Sequence, residues 1–164
     1  MSNLLGALAV AVTDDIGRSM AAATDLPQTD AACLNLVAHH DGCSIRLLSE
    51  ILGLTHPGTV RVVDRLAAGG LVERGSGPDG RTVGLHLTTT GRRRWTEQRD
   101  ARAQRLDTAI DALSARQRDA VTSAIETLLG VLTVDDRHAE QICRFCDESS
   151  CPQENCPVTC AVGR

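Results

Sequence analysis

The chain has 164 residues, the size of one ordinary domain, and 42% hydrophobic with 23% charged residues is the balance of a globular protein with a packed core. Trp95 and Phe145 are its only aromatic residues and Tyr is absent, so the core is built from Leu, Val, Ile and Ala; that argues against a β-sandwich or barrel and predicts a mainly α fold. The formal net charge of −4 conceals an asymmetry: residues 41–105 hold 11 Arg against 7 acids and the remainder 6 Arg against 14, which puts one basic surface on an acidic body.

The apolar start MSNLLGALAVAV lacks a preceding basic segment and runs at once into Asp14 and Asp15, so it reads as the beginning of a helix rather than a signal peptide. No apolar run is long enough to span a bilayer. A cytoplasmic protein without a membrane partner is expected, and there the seven Cys point to metal or redox chemistry rather than to a disulfide framework.

Leu5, Leu8, Val12, Ile16 and Met20 recur at helical spacing over residues 3–23, and Pro27 ends that helix. A second helix over 29–39 carries Leu34, Leu36 and Val37. Ser44 is placed to cap a third helix with Leu47, Leu48, Ile51 and Leu52 inward and Gly53 at its end. Thr55 caps a fourth, with Pro57 in its first turn, Val60, Val63 and Leu66 on one face and Gly69-Gly70 as its stop. The short connection between the last two predicts a helix-turn-helix. A β-run at residues 71–74, a Gly-rich turn over 75–81 and an alternating strand over 82–88 predict a hairpin directly behind the recognition helix. Helical pattern returns at Thr89, with Trp95, Leu106, Ile110 and Leu113 on one stripe. Ser114 and Gln117 form a capping-box signature for a last helix, whose apolar face is Val121, Ile125, Leu128 and Leu132. These outer helices have more apolar surface than a three-helix core covers, and a partner chain is the natural cover.

Residues 48–92, LSEILGLTHPGTVRVVDRLAAGGLVERGSGPDGRTVGLHLTTTGR, resemble the MarR family of winged-helix transcription regulators. The likeness rests on the Gly-Leu-Thr turn, a recognition helix ending in Val-Asp-Arg-Leu, the Gly-Leu-Val-Glu-Arg strand, an Asp-x-Arg wing and a closing Leu-Thr-x-x-Gly-Arg. It implies a winged helix-turn-helix with a DNA-binding core about residues 29–92 inside a domain of residues 1–142. It further implies a homodimer joined through helices 3–23 and 90–142, with recognition helices in successive major grooves of a palindromic double-stranded operator and wings in the minor grooves. Relatives of this kind are commonly repressors released by a small-molecule effector.

Within that frame His56, Gly58 and Thr59 open the recognition helix where helix N-termini meet base edges, and Arg61, one turn on, is the expected base reader through bidentate bonds to guanine. Arg65 and Arg74 are expected to meet phosphates. Asp79 and Arg81 resemble the wing pair, with the acid orienting Arg81 toward the minor groove.

Residues 143–164 form a separate Cys-rich tail. Cys143, Cys146, Cys151 and Cys156, spaced C-x2-C-x4-C-x4-C, suffice for one tetrahedral metal site. The spacing equals that of a zinc knuckle with Cys151 in place of His, but the knuckle glycines are missing and Asp147, Glu148 and Glu154 make the run acidic. A contiguous run whose fourth Cys precedes Pro157 also resembles an iron–sulfur cluster loop. Zinc, an iron–sulfur cluster and reversibly oxidised thiols therefore all stand, with Cys160 spare or a substitute ligand. Cys33 reads as a core residue, Cys43 beside His39 and His40 as a weaker second site, and His138 as a solvated helix residue. No catalytic triad, paired carboxylates or phosphate loop is present, so the chain is not expected to be an enzyme. The expected function is a dimeric DNA-binding regulator with a structural or redox- or metal-sensing centre. The alternative is a redox or metal-handling protein whose winged helix docks another protein.

Overall fold

The computed structural model describes residues 1–147, 150–151 and 153–163. Glu148 of the acidic tail lies outside the described residues, as do Ser149, Pro152 and Arg164. Among the described residues no helix is long and apolar enough to cross a membrane.

Helix α1 (Ser2–Thr24) ends where Asp25 turns to a φ of 55° and Pro27 follows. After α2 (Gln28–His39), the Ser44 hydroxyl accepts the Leu47 N–H at 3.2 Å and starts α3 (Ile45–Leu52). Gly53, at φ 64°, turns the chain in a conformation that a side chain would strain. The Thr55 hydroxyl then accepts the Gly58 N–H at 3.3 Å to cap α4 (His56–Ala68), with Pro57 in its first turn. Strands β1 (Val72–Ser76) and β2 (Val83–Leu87) pair antiparallel, Val72 opposite Leu87 and Ser76 opposite Val83. A single bridge from Cys43 to Leu85 adds a third, one-residue strand to this hairpin.

Helix α5 (Thr89–Ile110) begins on the Thr88 hydroxyl, which accepts the Gly91 N–H at 2.9 Å. Gly91 also explains the closing glycine of the motif: a Cβ there would sit 1.8 Å from the Leu71 carbonyl oxygen. In α6 (Ala115–Leu132) the Gln117 carbonyl accepts from both the backbone and the hydroxyl of Ser114. The tail adds α7 (Asp136–Cys143), a 3-10 turn at Gln153–Asn155 and α8 (Pro157–Ala161).

The fold is mainly α, a winged helix-turn-helix with flanking helices, as the sequence predicts. Its core joins α2, α3, α4 and the hairpin around Leu34, Val37, Leu48, Val63, Leu66 and Leu85, all fully buried, with Trp95 of α5 packed on its edge. Helix α1 lies along α5, tied by the bond from the Ser19 hydroxyl to the Ala101 carbonyl and by the Arg105–Asp15 ion pair. A second, smaller cluster gathers Ala139, Cys156 and Val158 with Leu129, Ile142 and Val162. Burial thus contributes to the order of the tail. Helix α6 buries no residue of its own, and Val121, Ile125, Leu128 and Leu132 are 39–58% exposed.

Candidate functional site: the recognition helix, the wing and the thiol cavity

Of the eight residues expected to meet DNA, His56, Arg61 and Arg81 are exposed with no side-chain partner among the described residues, and Gly58 is half-buried behind the Thr55 cap. The other four are engaged within the fold. Thr59 is fully buried: its hydroxyl donates to the Thr55 carbonyl at 3.2 Å and accepts from the Ser49 hydroxyl at 3.0 Å. It fastens α4 to α3 and faces away from any groove, because position 59 falls on the apolar stripe with Val62, Val63 and Leu66.

Arg65 is not a free phosphate ligand. Its fork bonds the buried Asp30 carboxylate through Nε at 3.0 Å and Nη2 at 2.6 Å, and this bidentate contact raises the already high pKa of the guanidinium. Arg74 is likewise paired, with Asp64 of the recognition helix at 2.7 Å, so contact with a phosphate requires exchange of partners in a solvated pair.

Asp79 organises the wing differently from the expected pairing. One carboxylate oxygen accepts from the Thr82 hydroxyl at 2.6 Å, the Thr82 N–H at 3.0 Å and the Arg81 N–H at 3.1 Å. These bonds, the Thr82 hydroxyl foremost, hold the Asp79 carboxyl below the usual carboxylate range. The acid thereby fixes the backbone of the tip and leaves the Arg81 guanidinium free at its end. At the wing's base His86 bridges the Asp41 carboxylate and the Ser76 carbonyl, each at 3.0 Å, which raises its pKa.

The tail places Cys143, Cys146, Cys151 and Cys156 around one cavity of about 150 Å³, with His40, Glu140 and Thr159 on its walls. Hydrogen bonding to Cys146, followed by burial, raises the Cys143 pKa. Burial raises that of Cys156 too, but hydrogen bonds from the Thr159 backbone and hydroxyl, the Val158 N–H and the Cys151 thiol outweigh it, and the net direction is down. Cys143 thus has a hydrogen bond with Cys146, and Cys156 has one with Cys151. Among the described residues no group of three or more His, Cys, Asp or Glu side chains is placed so that it could hold a metal ion. The donor set itself suits a soft cation: four sulfurs on one small cavity, two of them in a C-x2-C turn closed by the bond from the Cys146 N–H to the Cys143 carbonyl at 2.7 Å.

Cys160 is exposed and lies outside the cavity lining. Cys33 is a core residue, as expected, its thiol pushed up to about 12 by burial. Cys43 is no second site with His39 and His40: burial pushes its thiol up to about 12 as well, and its backbone is committed to the bridge with Leu85. His138 keeps a half-buried place on α7, with Nδ1 enclosed rather than solvated.

Sequence reasoning missed the residues that dock the tail on the core. Asn35, buried on α2, donates to the carbonyls of Arg144 at 3.1 Å and Cys146 at 3.3 Å and accepts from the Trp95 indole N–H at 2.8 Å. His39 donates from Nε2 to the same Cys146 carbonyl at 3.1 Å. The available signal was a polar residue inside an apolar helix: Asp30 and Asn35 flank Ala31, Ala32, Cys33 and Leu34, and all are buried.

Residues 24–82 match the family model of the MarR family. A MarR family protein from Bacillus stearothermophilus superposes with a TM-score of 0.72 at 20% identity, over 81% of this chain and 93% of that one. The fold is the MarR winged helix. MepR, a transcription regulator of the Staphylococcus aureus multidrug efflux pump MepA, superposes equally, with a TM-score of 0.72 at 17% identity over 80% of this chain and 98% of that one. A MepR mutant bound to an oligodeoxyribonucleotide gives 0.60 at 19% identity, over 80% and 96%. No curated protein matches the sequence. The resemblance read over residues 48–92 overlaps the matched segment up to residue 82.

Proposed function

We propose that the chain is a homodimeric, sequence-specific double-stranded DNA-binding regulator that represses its target from a palindromic operator and answers to a redox, metal or small-molecule effector. One observation carries this reading: Arg61 on the recognition helix and Arg81 at the wing tip present guanidinium groups with no partner among the described residues, while Arg65 and Arg74 between them in sequence are held by carboxylates. Free cations on a recognition helix and a wing suit base edges and a minor groove. Dimerisation is supported by the apolar side chains left open on α1 and α6, Leu4 at 76% and Val131 at 75% exposure among them.

The four thiols are read as a metal centre, with zinc expected and an iron–sulfur cluster as the alternative. A colourless protein with one zinc per chain supports the first; iron with visible absorption assigns the second.

The DNA reading is tested by titrating the protein and Arg61→Ala against the operator and a scrambled duplex at several salt concentrations. Binding should weaken steeply with salt, and Arg61→Ala should cost about 1–3 kcal/mol on the operator alone. Salt-independent binding, or equal losses on both duplexes, refutes base reading by Arg61.

A further inference from the structure

The cavity that gathers the four tail thiols has a wall from the winged helix. His40, at the C-terminal end of α2, lines it, and its Nε2 is buried with no hydrogen-bond partner. The nearby Glu140 Oε2, at 3.7 Å, is within reach of an ion pair with a protonated ring but beyond hydrogen-bonding distance. Among the described residues only two other buried side-chain atoms are orphaned, on Gln98 and His138, and neither residue lines this cavity. A buried nitrogen without a partner is costly, so its place beside a cluster of soft donors asks for an acceptor there.

Four thiolates on a divalent ion leave a net charge of −2 on the centre, in a half-buried site that already holds the Glu140 carboxylate. Such a charge needs N–H donors around the sulfurs. The nearest polar groups of α2 are already committed: Asn35 and His39 both donate to backbone carbonyls of the C-x2-C turn and have fixed that turn against the helix. His40 is the donor left over.

We propose that the cavity is a soft divalent-metal site completed by the winged helix itself: Cys143, Cys146, Cys151 and Cys156 ligate, and His40 Nε2–H donates to a ligating thiolate. This rests on the metal-centre reading above and adds a positioning residue from the DNA-binding half. Its role is to hold and neutralise a ligand sulfur, not to bind the ion. Metal ligation at Cys143 and Cys146 would replace the hydrogen bond that these two thiols share.

The test uses the full chain, reduced and metal-free, titrated anaerobically with Co(II). It compares the parent with His40→Ala and with His40→Gln, which keeps an N–H donor near the same place. The parent should bind one Co(II) with intense sulfur-to-metal absorption. His40→Ala should bind about 10–100-fold more weakly with shifted bands, and His40→Gln should recover most of the difference. Equal affinity and an unchanged spectrum in His40→Ala overturn the proposal, as does a loss that His40→Gln does not repair at all. A parent that binds no Co(II) fails the metal reading itself, and this proposal falls with it. The titration contains no DNA, so failure of the operator-binding reading leaves it intact.

Discussion

In the winged-helix core, α2, α3, α4 and the hairpin bury one contiguous set of aliphatic side chains, whereas the cluster of α7 and the tail buries, among the described residues, only Ala139, Cys156 and Val158. The core has no large aromatic inside it and still closes, because Leu34, Leu48, Leu66 and Leu85 meet from four different elements. The tail draws on short helices, a C-x2-C turn and hydrogen bonds donated by the core. Apolar burial makes the first self-sufficient, while the second is ordered by what it leans on. The two meet along α2, which carries Asp30 for the recognition helix and Asn35, His39 and His40 for the tail.

The largest expected effect breaks or sustains that division directly. Leu34→Ala removes a fully buried side chain of the core and should lower its stability by about 3 kcal/mol. Val158→Ala, buried in the tail, should cost about 1 kcal/mol and act locally. Chemical denaturation followed by Trp95 fluorescence reads the core, and the labelling rate of the tail thiols reads the tail. If Val158→Ala moves the Trp95 transition as far as Leu34→Ala does, the two regions are one cooperative unit and the comparison fails.

The next effect lies at the junction. Arg65→Ala leaves the Asp30 carboxylate buried without its bidentate partner. Fully enclosed pairs lose more, but the Arg65 side chain is 54% exposed, so about 2 kcal/mol is expected. Asp30→Asn combined with Arg65→Ala should recover part of it, since the double variant buries no unpaired charge. Additive losses would show that the pair does not join α2 to α4.

The fold was largely legible in the sequence because its signals are local. Ser44, Thr55 and Ser114 mark helix starts, Gly53 and Gly69-Gly70 mark stops, and the period changes from helical to alternating at the hairpin. The residues expected to face DNA were half legible as exposed side chains. Helical spacing puts Arg61 outward, but the same spacing puts Thr59 inward, and reading the helix N-terminus as one uniform face obscured that. Arg65 was misread because its partner lies 35 residues earlier. The four cavity thiols were legible from spacing, and His40 was not, since its approach depends on how α2 and α7 pack rather than on any run of residues.

The smallest effect concerns the wing, the core's most polar part. Both ring nitrogens of His86 face oxygens, the Asp41 carboxylate and the Ser76 carbonyl, and oxygens accept. Two acceptors need two donors, so the charged imidazolium satisfies the site and the neutral ring leaves one oxygen facing a lone pair. The pKa is raised accordingly, first by Asp41, then by Ser76, with Glu73 adding a longer-range attraction. A raised folded-state pKa means that the stabilisation is complete below the unfolded value of about 6.5 and is lost as pH rises through the higher folded value. Amide exchange of the Gly42, Cys43 and Leu85 N–H groups should therefore quicken on the alkaline side of neutrality, beyond the intrinsic pH dependence of exchange. His86→Gln should remove that excess while the rest of the core stays protected. An excess that persists in His86→Gln would move the titrating group elsewhere and leave the wing as insensitive to pH as the aliphatic core beneath it.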